Sequence, residues 1–323
     1  MDRAVYGSAW HGPCTEAVMT TKPKIGIALG GGAARGWAHI GVLKTLIDAG
    51  FAPDIVAGTS IGAVAGGCYV AGKLDPLEAF ARGLTRRRVF GFLDFNFTGS
   101  GLITGQRLCN RFDEHLEHVA IEDMERKFVA VATELGTGHE IWLNKGRLVD
   151  AMHASYALPG IFRPVKINGR WLIDGALVNP IPVSVCRALG ARIVIAVNLH
   201  WDVFGKGTVI SDQEAIETHA EDDESLEERG NGRAALHLLH RQFFGGRDTP
   251  GISTVMMDAF NIIQDRIARS RLAGDPPDVS IAPELGDIGL FEFHRADEAI
   301  PNGAEATERQ LDNIERVVRA LAA

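Results

Sequence analysis

Positive charge is in deficit in this sequence of 323 residues, in which 33 lysines and arginines face 41 aspartates and glutamates. Binding to nucleic-acid phosphates requires clustered Lys and Arg. The formal net charge of -8 therefore speaks against a nucleic-acid partner. One small basic cluster, Arg86–Arg88, precedes a run rich in phenylalanine. We expect it to be a helix end followed by a loop, with contact to an anionic lipid surface as the alternative.

Cysteine is also scarce, and the four cysteines lie far apart in the chain: Cys14, Cys68, Cys109 and Cys186. No C-x-x-C pair occurs, and no histidine stands near them at the spacing of a zinc site. This scatter predicts free thiols in a reducing compartment. We therefore expect a cytoplasmic protein, with peripheral contact at the inner face of the membrane as a possibility, and we expect no metal and no other cofactor.

Long runs of bulky apolar residues are missing. Residues 1–22 lack the apolar stretch of a secretory signal and read as a disordered lead-in. Residues 55–72 carry no charge, but they are rich in glycine and include Thr59 and Ser60, which leaves too little bulky surface for a membrane span. This run predicts a buried strand, a turn and a helix.

Strands and helices alternate from the start of the ordered sequence. Residues 24–29 (KIGIAL) and 54–59 (DIVAGT) read as buried strands, and each leads through a glycine-bearing turn into a helix. This order predicts an α/β fold with a mainly parallel central sheet covered on both faces. A hairpin is expected at Asn168-Gly169. Further strands are expected at 127–135, 139–144, 165–174 and 192–199.

The chain divides into four segments by composition. We expect residues 1–22 to be the lead-in, 23–203 the α/β core, 204–250 an acidic mobile insertion, and 251–323 a set of C-terminal helices completing the same domain. Within these segments we expect Asp75 to cap a helix, residues 90–104 to form a loop, and a closing helix to begin near Glu305.

The stretch GTSIG, residues 58–62, fits the G-x-S-x-G pattern, in which a sharp strand-to-helix turn exposes a serine hydroxyl. Ser60 is then the candidate nucleophile, and Gly58 and Gly62 form the turn around it. The pattern alone is weak, because glycine is common in this chain. Its weight depends on a second glycine-rich turn and on a base for the hydroxyl.

The second turn is GGGAARG, residues 30–36, between the first strand and its helix. A dinucleotide loop would need G-x-G-x-x-G, but Gly30-x-Gly32 is followed by Arg35, and Asp54 is a weak match for the ribose ligand. A P-loop is excluded because no Gly-Lys-Ser/Thr follows. The remaining interpretations are an oxyanion hole of backbone amides and a merely structural tight turn. Both glycine-bearing turns would face the crevice at the carboxyl ends of their strands.

Two residues are candidates for the base that activates Ser60. Asp174, in LIDGALVNPIP, ends a predicted strand, and an Asp-Gly turn is its plain structural interpretation. His294, in FEFHRADE, is a late histidine of the kind that α/β-hydrolases use, but its flanks look like an irregular surface segment. The residues favour Asp174 and leave His294 open.

Four ordered blocks carry a family resemblance: GGGAARGWAHIGVL, GTSIGA, SYALPGIFRPV and DGALVNPIP. Together they resemble the patatin-like phospholipase family, in particular its bacterial branch related to neuropathy target esterase, over about residues 22–200. The chain departs from the plant D-G-G-G-x-R-G block at Gly30 and Ala33, as is typical of the bacterial branch. The resemblance implies a three-layer α/β/α domain and a Ser60–Asp174 dyad without histidine. It also implies an oxyanion hole in the glycine block: Gly30, Gly31, Gly32, Ala33 and Arg35.

The function expected from this resemblance is serine acyl hydrolysis of phospholipids, lysophospholipids or other acyl esters. An aspartate at its ordinary pKa of about 4 is a feeble base, so either a dry site raises its pKa or the rates are modest. The alternatives are a catalytically weak lipid-binding or regulatory protein, a Ser-His hydrolase and a nucleotide-binding oxidoreductase.

Several other residues receive plainer interpretations. Arg35 is expected to brace the glycine loop or to meet a phosphate. His39 and three tryptophans are expected to be packing residues, and His153 to hold the SYALPG segment. The pair Met256-Met257 is expected to fill the core, with an acyl channel as the alternative. The tryptophans are Trp37, Trp142 and Trp171.

Overall fold

The computed structural model describes residues 23–92, 101–103, 106–116, 119–202 and 251–322. The predictions for the lead-in (1–22) and for the acidic segment (204–250) fall outside these residues.

The strands of the described residues are short and lie mostly in the first two thirds of the chain. They are β1 (Ile25–Leu29), β2 (Ile55–Thr59), β3 (Gly101–Ile103), β4 (Lys127–Glu134), β5 (Glu140–Leu143), β6 (Gly160–Phe162), β7 (Val165–Ile167), β8 (Arg170–Asp174), β9 (Ile193–Val197) and β10 (Val279–Ile281).

The helices alternate with these strands and then dominate the C-terminal part. They are α1 (Ala38–Asp48), α2 (Ile61–Val70), α3 (Leu74–Arg82), α4 (Arg86–Phe92), α5 (Gln106–Leu116), α6 (Leu148–Ser155), α7 (Val183–Ala188), α8 (Ile252–Gly274), α9 (Ala296–Glu308) and α10 (Leu311–Ala322). A 3-10 turn, Ala33–Trp37, joins β1 to α1.

The main sheet has the strand order β10-β9-β1-β2-β4-β8-β7, and β5 also pairs with β4. The five strands from β10 to β4 run parallel, whereas β5, β7 and β8 enter as antiparallel pairs. The predicted mainly parallel sheet is therefore confirmed. β4 pairs Val131 with Thr59 and the next residue, Ala132, with Asp174. This register brings the end of β2 close to the end of β8.

Both faces of the sheet are buried, as expected for parallel strands. Along β1, Ile25, Ile27 and Leu29 join one hydrophobic cluster, and Ala28 joins the other. Helices α1, α2 and α9 contribute to the first cluster, and α7 and α8 to the second. The result is the predicted three-layer α/β/α architecture.

Helix α1 crosses α9 at unusually short distance, because glycines stand at the crossing. A Cβ atom at Gly41 would lie 2.0 Å from the Ile300 carbonyl oxygen, and one at Gly303 would lie 2.0 Å from the Ala38 carbonyl oxygen. Backbone meets backbone at this crossing, which fixes α9 over the helix that follows the glycine loop.

Four local predictions were wrong. Asp75 does not cap α3, because that helix begins one residue earlier, and Asp75 instead pairs with Lys44 at 2.6 Å. Residues 90–104 are not all loop, since Gly101–Ile103 forms β3 and pairs with β6. The C-terminal end is two helices, and α9 begins at Ala296, before the predicted start near Glu305. The cluster Arg86–Arg88 opens α4 and does not end a helix.

The hairpin prediction is confirmed, because Asn168 and Gly169 both have positive φ (50° and 82°), as a type I′ turn requires. The packing prediction holds for Trp37, which is buried, but it is wrong for Trp142 and Trp171, which are 40% and 51% exposed. Both exposed tryptophans lie in antiparallel strands at the side of the sheet away from β1, where one strand face meets water.

Candidate functional site

Ser60 occupies a strained turn between β2 and α2. Its φ of 57° and ψ of -125° are rare for a residue with a side chain. A Cβ atom at Gly58 would lie 2.4 Å from the Gly62 carbonyl oxygen, and one at Gly62 would lie 2.1 Å from the Leu29 carbonyl oxygen. The turn therefore requires glycine at both positions that the G-x-S-x-G pattern indicates.

Asp174 ends β8 and faces Ser60 directly. The Ser60 hydroxyl donates a hydrogen bond to Asp174 Oδ2 at 2.6 Å, although 114 residues separate the two in sequence. The other carboxylate oxygen, Oδ1, accepts the amide of Ala176 at 2.8 Å, so the carboxylate is fixed from both sides. Gly175 lets the chain turn here, because a Cβ at this position would lie 2.2 Å from the Val131 carbonyl oxygen.

The carboxyl group of Asp174 is 1% exposed, and this burial raises its pKa from 3.8 to about 7. Desolvation is the largest cause, since a charged carboxylate loses its water shell. The hydrogen bonds from Ser60 and Ala176 act in the opposite direction and favour the charged form. Near neutral pH the group is thus divided between its acid and its base form.

The glycine loop offers fewer free amides than the sequence predicted. The amide of Gly30 donates to the Val197 carbonyl at 3.2 Å, and that of Gly31 donates to the Pro180 carbonyl at 3.0 Å. The expectation that these two amides form part of an oxyanion hole is therefore wrong. They instead tie the loop to neighbouring segments of the fold.

Two amides of the loop remain available. A third predicted oxyanion donor, the amide of Arg35, is occupied as well. It donates to the Gly32 carbonyl at 3.2 Å and closes the 3-10 turn. Within the described part of the chain, the amides of Gly32 and Ala33 have no such acceptor, and both residues line the cavity that contains Ser60. Ala33 has a φ of 49°, an unusual backbone conformation for alanine.

The side chain of Arg35 braces the loop. It is 5% exposed, and its Nε donates to the Ile288 carbonyl at 2.8 Å. Burial lowers the pKa of the guanidinium, and the nearby Asp202 carboxylate partly offsets this effect. Of the two interpretations of Arg35, the structure favours bracing.

Ser155 is a functional candidate that the sequence analysis missed. Its hydroxyl accepts the amide of Ser60 at 2.9 Å and donates to the Val131 carbonyl at 2.6 Å. The side chain is fully buried at the end of α6. It thereby locks the strained turn onto β4, a role for which 95 residues of separation leave no local signal.

A cavity of about 150 Å³ opens beside the Ser60 hydroxyl. Its wall is largely apolar and comes from α2, α3, α5, α8 and the segment before α9. Met257 is part of this wall, whereas Met256 is 51% exposed, so the preferred core-filling interpretation of the pair is wrong for Met256. The other apolar lining residues include Trp37, Ile61, Val64, Leu158, Phe162, Phe260 and Phe293.

The rival candidates have other partners. His294 Nε2 accepts a hydrogen bond from Arg86 Nε at 3.1 Å on the surface. Asp54, the weak match for a ribose ligand, accepts the Ile25 amide at 2.9 Å and so fastens β1. His39 is fully buried, contacts the Gly30 carbonyl at 2.8 Å through Nε2, and has its pKa lowered to about 4 by desolvation. It is the packing residue that the sequence predicted.

His153 stacks against Tyr156 of the SYALPG segment, with ring centroids 5.3 Å apart.

Among the described residues no group of three or more His, Cys, Asp or Glu side chains could hold a metal ion. No helix in the same part of the chain combines the length and apolar character that a membrane crossing needs. Cys68, Cys109 and Cys186 are buried and form no disulfide with one another.

Fold and site together define a class of α/β protein, in which a strand-to-helix turn presents a serine hydroxyl, held by a carboxylate, to an apolar cavity. Comparison with known proteins narrows this class. The model of the patatin-like phospholipase family matches residues 27–187. An uncharacterised NTE family protein of Mycobacterium tuberculosis is 31% identical over 336 residues, which cover 92% of this chain and 93% of the relative. The chain belongs to the patatin-like phospholipase family.

Two further similarities are more limited. A lysophospholipase of Emericella nidulans is 31% identical over 179 residues, which cover 54% of this chain and 12% of that protein. The crystal structure of VipD from Legionella pneumophila covers 90% of this chain and 67% of its own, with a TM-score of 0.45 and 13% sequence identity. Similarity at that level adds nothing to the assignment.

Proposed function

We propose that this protein is a serine hydrolase that cleaves acyl esters of lipids, with Ser60 as nucleophile and Asp174 as base. The observation that carries the proposal is the 2.6 Å hydrogen bond from the Ser60 hydroxyl to the Asp174 carboxylate, beside an apolar cavity. Membership of the patatin-like phospholipase family and the similarity to a lysophospholipase support lipid acyl esters as the substrate class.

In the acylation step, Ser60 Oγ bonds to the ester carbonyl carbon and its proton passes to Asp174 Oδ2. The ester C–O bond breaks, and the leaving alcohol or lysolipid takes the proton from Asp174. A carboxylate whose pKa is raised to about 7 is a much better base than one near 4. The buried site thereby supplies the basicity that an exposed aspartate lacks.

The oxyanion of the tetrahedral intermediate needs hydrogen-bond donors fixed in advance. We assign this role to the amides of Gly32 and Ala33. Support comes from their place in the cavity wall and from the positive φ of Ala33, which holds the loop in an unusual conformation. Arg35 maintains the loop through its bond to Ile288.

Contact with a lipid surface belongs to the same proposal. Helix α8 carries cavity residues such as Met257 on one side, while Val255 and Met256 are each 51% exposed. Phe291 lines the cavity and is 48% exposed. Exposed apolar side chains next to cavity-lining residues are typical of an interaction surface, and an aggregated lipid fits this one.

The test measures hydrolysis of short- and long-chain p-nitrophenyl esters and of a lysophospholipid. Wild type, Ser60→Ala, Asp174→Asn and the control Ser280→Ala, whose serine is exposed on β10, are compared. We expect wild type and the control to turn over all three substrates, and the two dyad variants to lose activity by at least about a thousandfold.

Two of the alternatives have their own signatures. Activity that survives in Asp174→Asn but is lost in Ser60→Ala would identify a different base. A protein that binds lysophospholipid but turns over none of the three substrates would be the weak lipid-binding protein. Either result would contradict the proposed mechanism.

A further inference from the structure

Gln264 places an amide group in a largely apolar cavity wall. The residue lies in α8, lines the cavity beside Ser60 and is 4% exposed. Its Oε1 is buried and has no hydrogen-bond partner among the described residues. Buried polar atoms are normally satisfied, so an unpaired oxygen on a cavity-lining side chain indicates a partner that the described residues do not supply.

Other polar side chains in the cavity wall are already paired. The Tyr156 hydroxyl contacts Cys109 Sγ at 3.2 Å, and Trp37 Nε1 donates to the Phe293 carbonyl at 3.0 Å. Apart from the dyad, Gln264 is thus the cavity-lining side chain that offers a free acceptor within the described residues.

The Gln264 amide lies near the dyad, as distances from one common point show. The point where a Cβ of Gly31 would lie is 3.2 Å from Gln264 Oε1, 3.5 Å from Ser60 Cβ and 3.4 Å from Ala176 Cβ. Ala176 belongs to the turn that holds the Asp174 carboxylate. The amide oxygen therefore lies in the neighbourhood of Ser60 and of the turn that holds the base, next to the space that glycine at position 31 leaves open.

Deacylation places a specific demand on this region. The attacking water must reach the acyl carbon while one of its O–H bonds points to Asp174. Its second O–H bond needs another acceptor, because in an apolar cavity an unpaired O–H is costly. Of the groups near Ser60, Gln264 Oε1 fits this demand, since it is an acceptor to which no described residue donates.

We propose that Gln264 positions the hydrolytic water by accepting a hydrogen bond from its second O–H group, while Asp174 takes the proton of the first. The water oxygen bonds to the acyl carbon, the bond from that carbon to Ser60 Oγ breaks, and the proton on Asp174 passes to Ser60 Oγ. The product is the free carboxylic acid. This inference rests on the proposed function, because it assigns a role in the second half of the same reaction.

The test separates acylation from deacylation in Gln264→Met, which keeps the length of the side chain and removes the acceptor. Rapid mixing with a p-nitrophenyl ester gives a burst from acylation and a steady state from complete turnover. We expect an unchanged burst rate, a larger burst amplitude and a steady-state rate lower by about tenfold, the effect of one lost hydrogen bond. Intact-protein mass should show accumulated acyl-enzyme, and added hydroxylamine, a stronger nucleophile, should restore turnover.

Asn261→Leu is the matched control. Asn261 lies one turn earlier in α8, is 5% exposed and also has a buried unpaired side-chain oxygen, but it does not line the cavity. This variant should leave both phases unchanged. Gln264→Leu repeats the test if the methionine variant does not fold.

Two results would overturn the proposal for Gln264: an equal loss in both phases, or no loss in either. Ser60→Ala tells this failure apart from failure of the proposed function. If Ser60→Ala abolishes the burst while Gln264→Met deacylates normally, only the role of Gln264 is wrong. If Ser60→Ala retains the burst, the proposed nucleophile is wrong as well.

Discussion

At the scale of single residues, the ionisation of Asp174 controls the proposed reaction. Burial raises the pKa of its carboxyl group to about 7, and only the ionised form can accept the proton of Ser60. We therefore expect kcat/KM for a p-nitrophenyl ester to rise with pH through about 7 and then to level off. A pH–rate profile measures this. An inflection near 4, or a profile that is flat across neutral pH, would contradict the role of Asp174.

Ser155 is expected to act on the reaction through the nucleophile turn. Ser155→Ala removes the acceptor of the Ser60 amide and one donor to the Val131 carbonyl. Losses of this kind cost about 1–3 kcal/mol of stability, and we expect kcat to fall by about tenfold with KM unchanged. Thermal unfolding and steady-state kinetics measure the two effects, with the exposed Ser280→Ala as control. Wild-type kcat in Ser155→Ala would show that the turn does not depend on this hydroxyl.

The sequence predicts residues whose signal is local and misses those that depend on distant partners. Ser60 stands out because glycines flank it at fixed spacing, and Asp174 because it precedes a glycine at a strand end. Ser155 and Gln264 have no such marks, since the residues near which their side chains lie are far away in sequence. For the same reason the sequence could not indicate that the Gly30 amide is occupied by Val197.

At the scale of elements, the crossing of α1 and α9 depends on two glycines. In Gly303→Ala the new methyl group would lie 2.0 Å from the Ala38 carbonyl oxygen, so the helices must separate. Overpacking of this kind costs about 1–3 kcal/mol or more, and we expect the melting temperature to fall. Gly274→Ala is the control, because Gly274 ends α8 with nothing within 4 Å of its Cβ position.

The control should leave stability unchanged or raise it by up to about 1 kcal/mol, because alanine favours the helical conformation over glycine. Equal stability of Gly303→Ala and wild type would mean that the two helices do not approach as closely as described.

Most elements were predicted from the sequence, whereas their ends and their partners were not. The strand-turn-helix units around β1 and β2 and the hairpin at Asn168-Gly169 follow from apolar runs and glycine positions. The pairing of β4 with both β2 and β8 is a matter of sheet register, on which local sequence carries no information. Yet this pairing is what brings Ser60 and Asp174 together.

At the scale of the whole molecule, buried titratable groups set the response of stability to acid. Desolvation lowers the pKa of His39 and of His200 to about 4, and both rings are almost fully buried. As pH falls from 6.5 towards 4, these histidines are protonated in the unfolded state but stay neutral in the native state. The free energy of unfolding therefore decreases. Asp174 has the opposite sign, because its raised pKa makes the native state gain a proton as pH falls from about 7.

Burial also lowers the pKa of His153 to about 4, so three histidines oppose one aspartate and predict a net loss of stability on acidification. Asp174→Asn removes the carboxyl group that offsets this loss, so stability should fall more steeply on acidification in the variant. We therefore expect Asp174→Asn to be more stable than wild type above about pH 7, with a gain that shrinks towards pH 4. Melting temperatures of both proteins across this range test the expectation, and a constant difference between them would contradict it.

The most direct test of the central claim is to find where a reactive acyl-ester mimic attaches. An alkyl phosphonate p-nitrophenyl ester should release one p-nitrophenolate per chain and leave a single phosphonyl group, which peptide mass spectrometry should find on Ser60. Ser60→Ala should remain unlabelled. Ester hydrolysis with the label on another residue, or hydrolysis that continues after Ser60 is phosphonylated, would contradict the account.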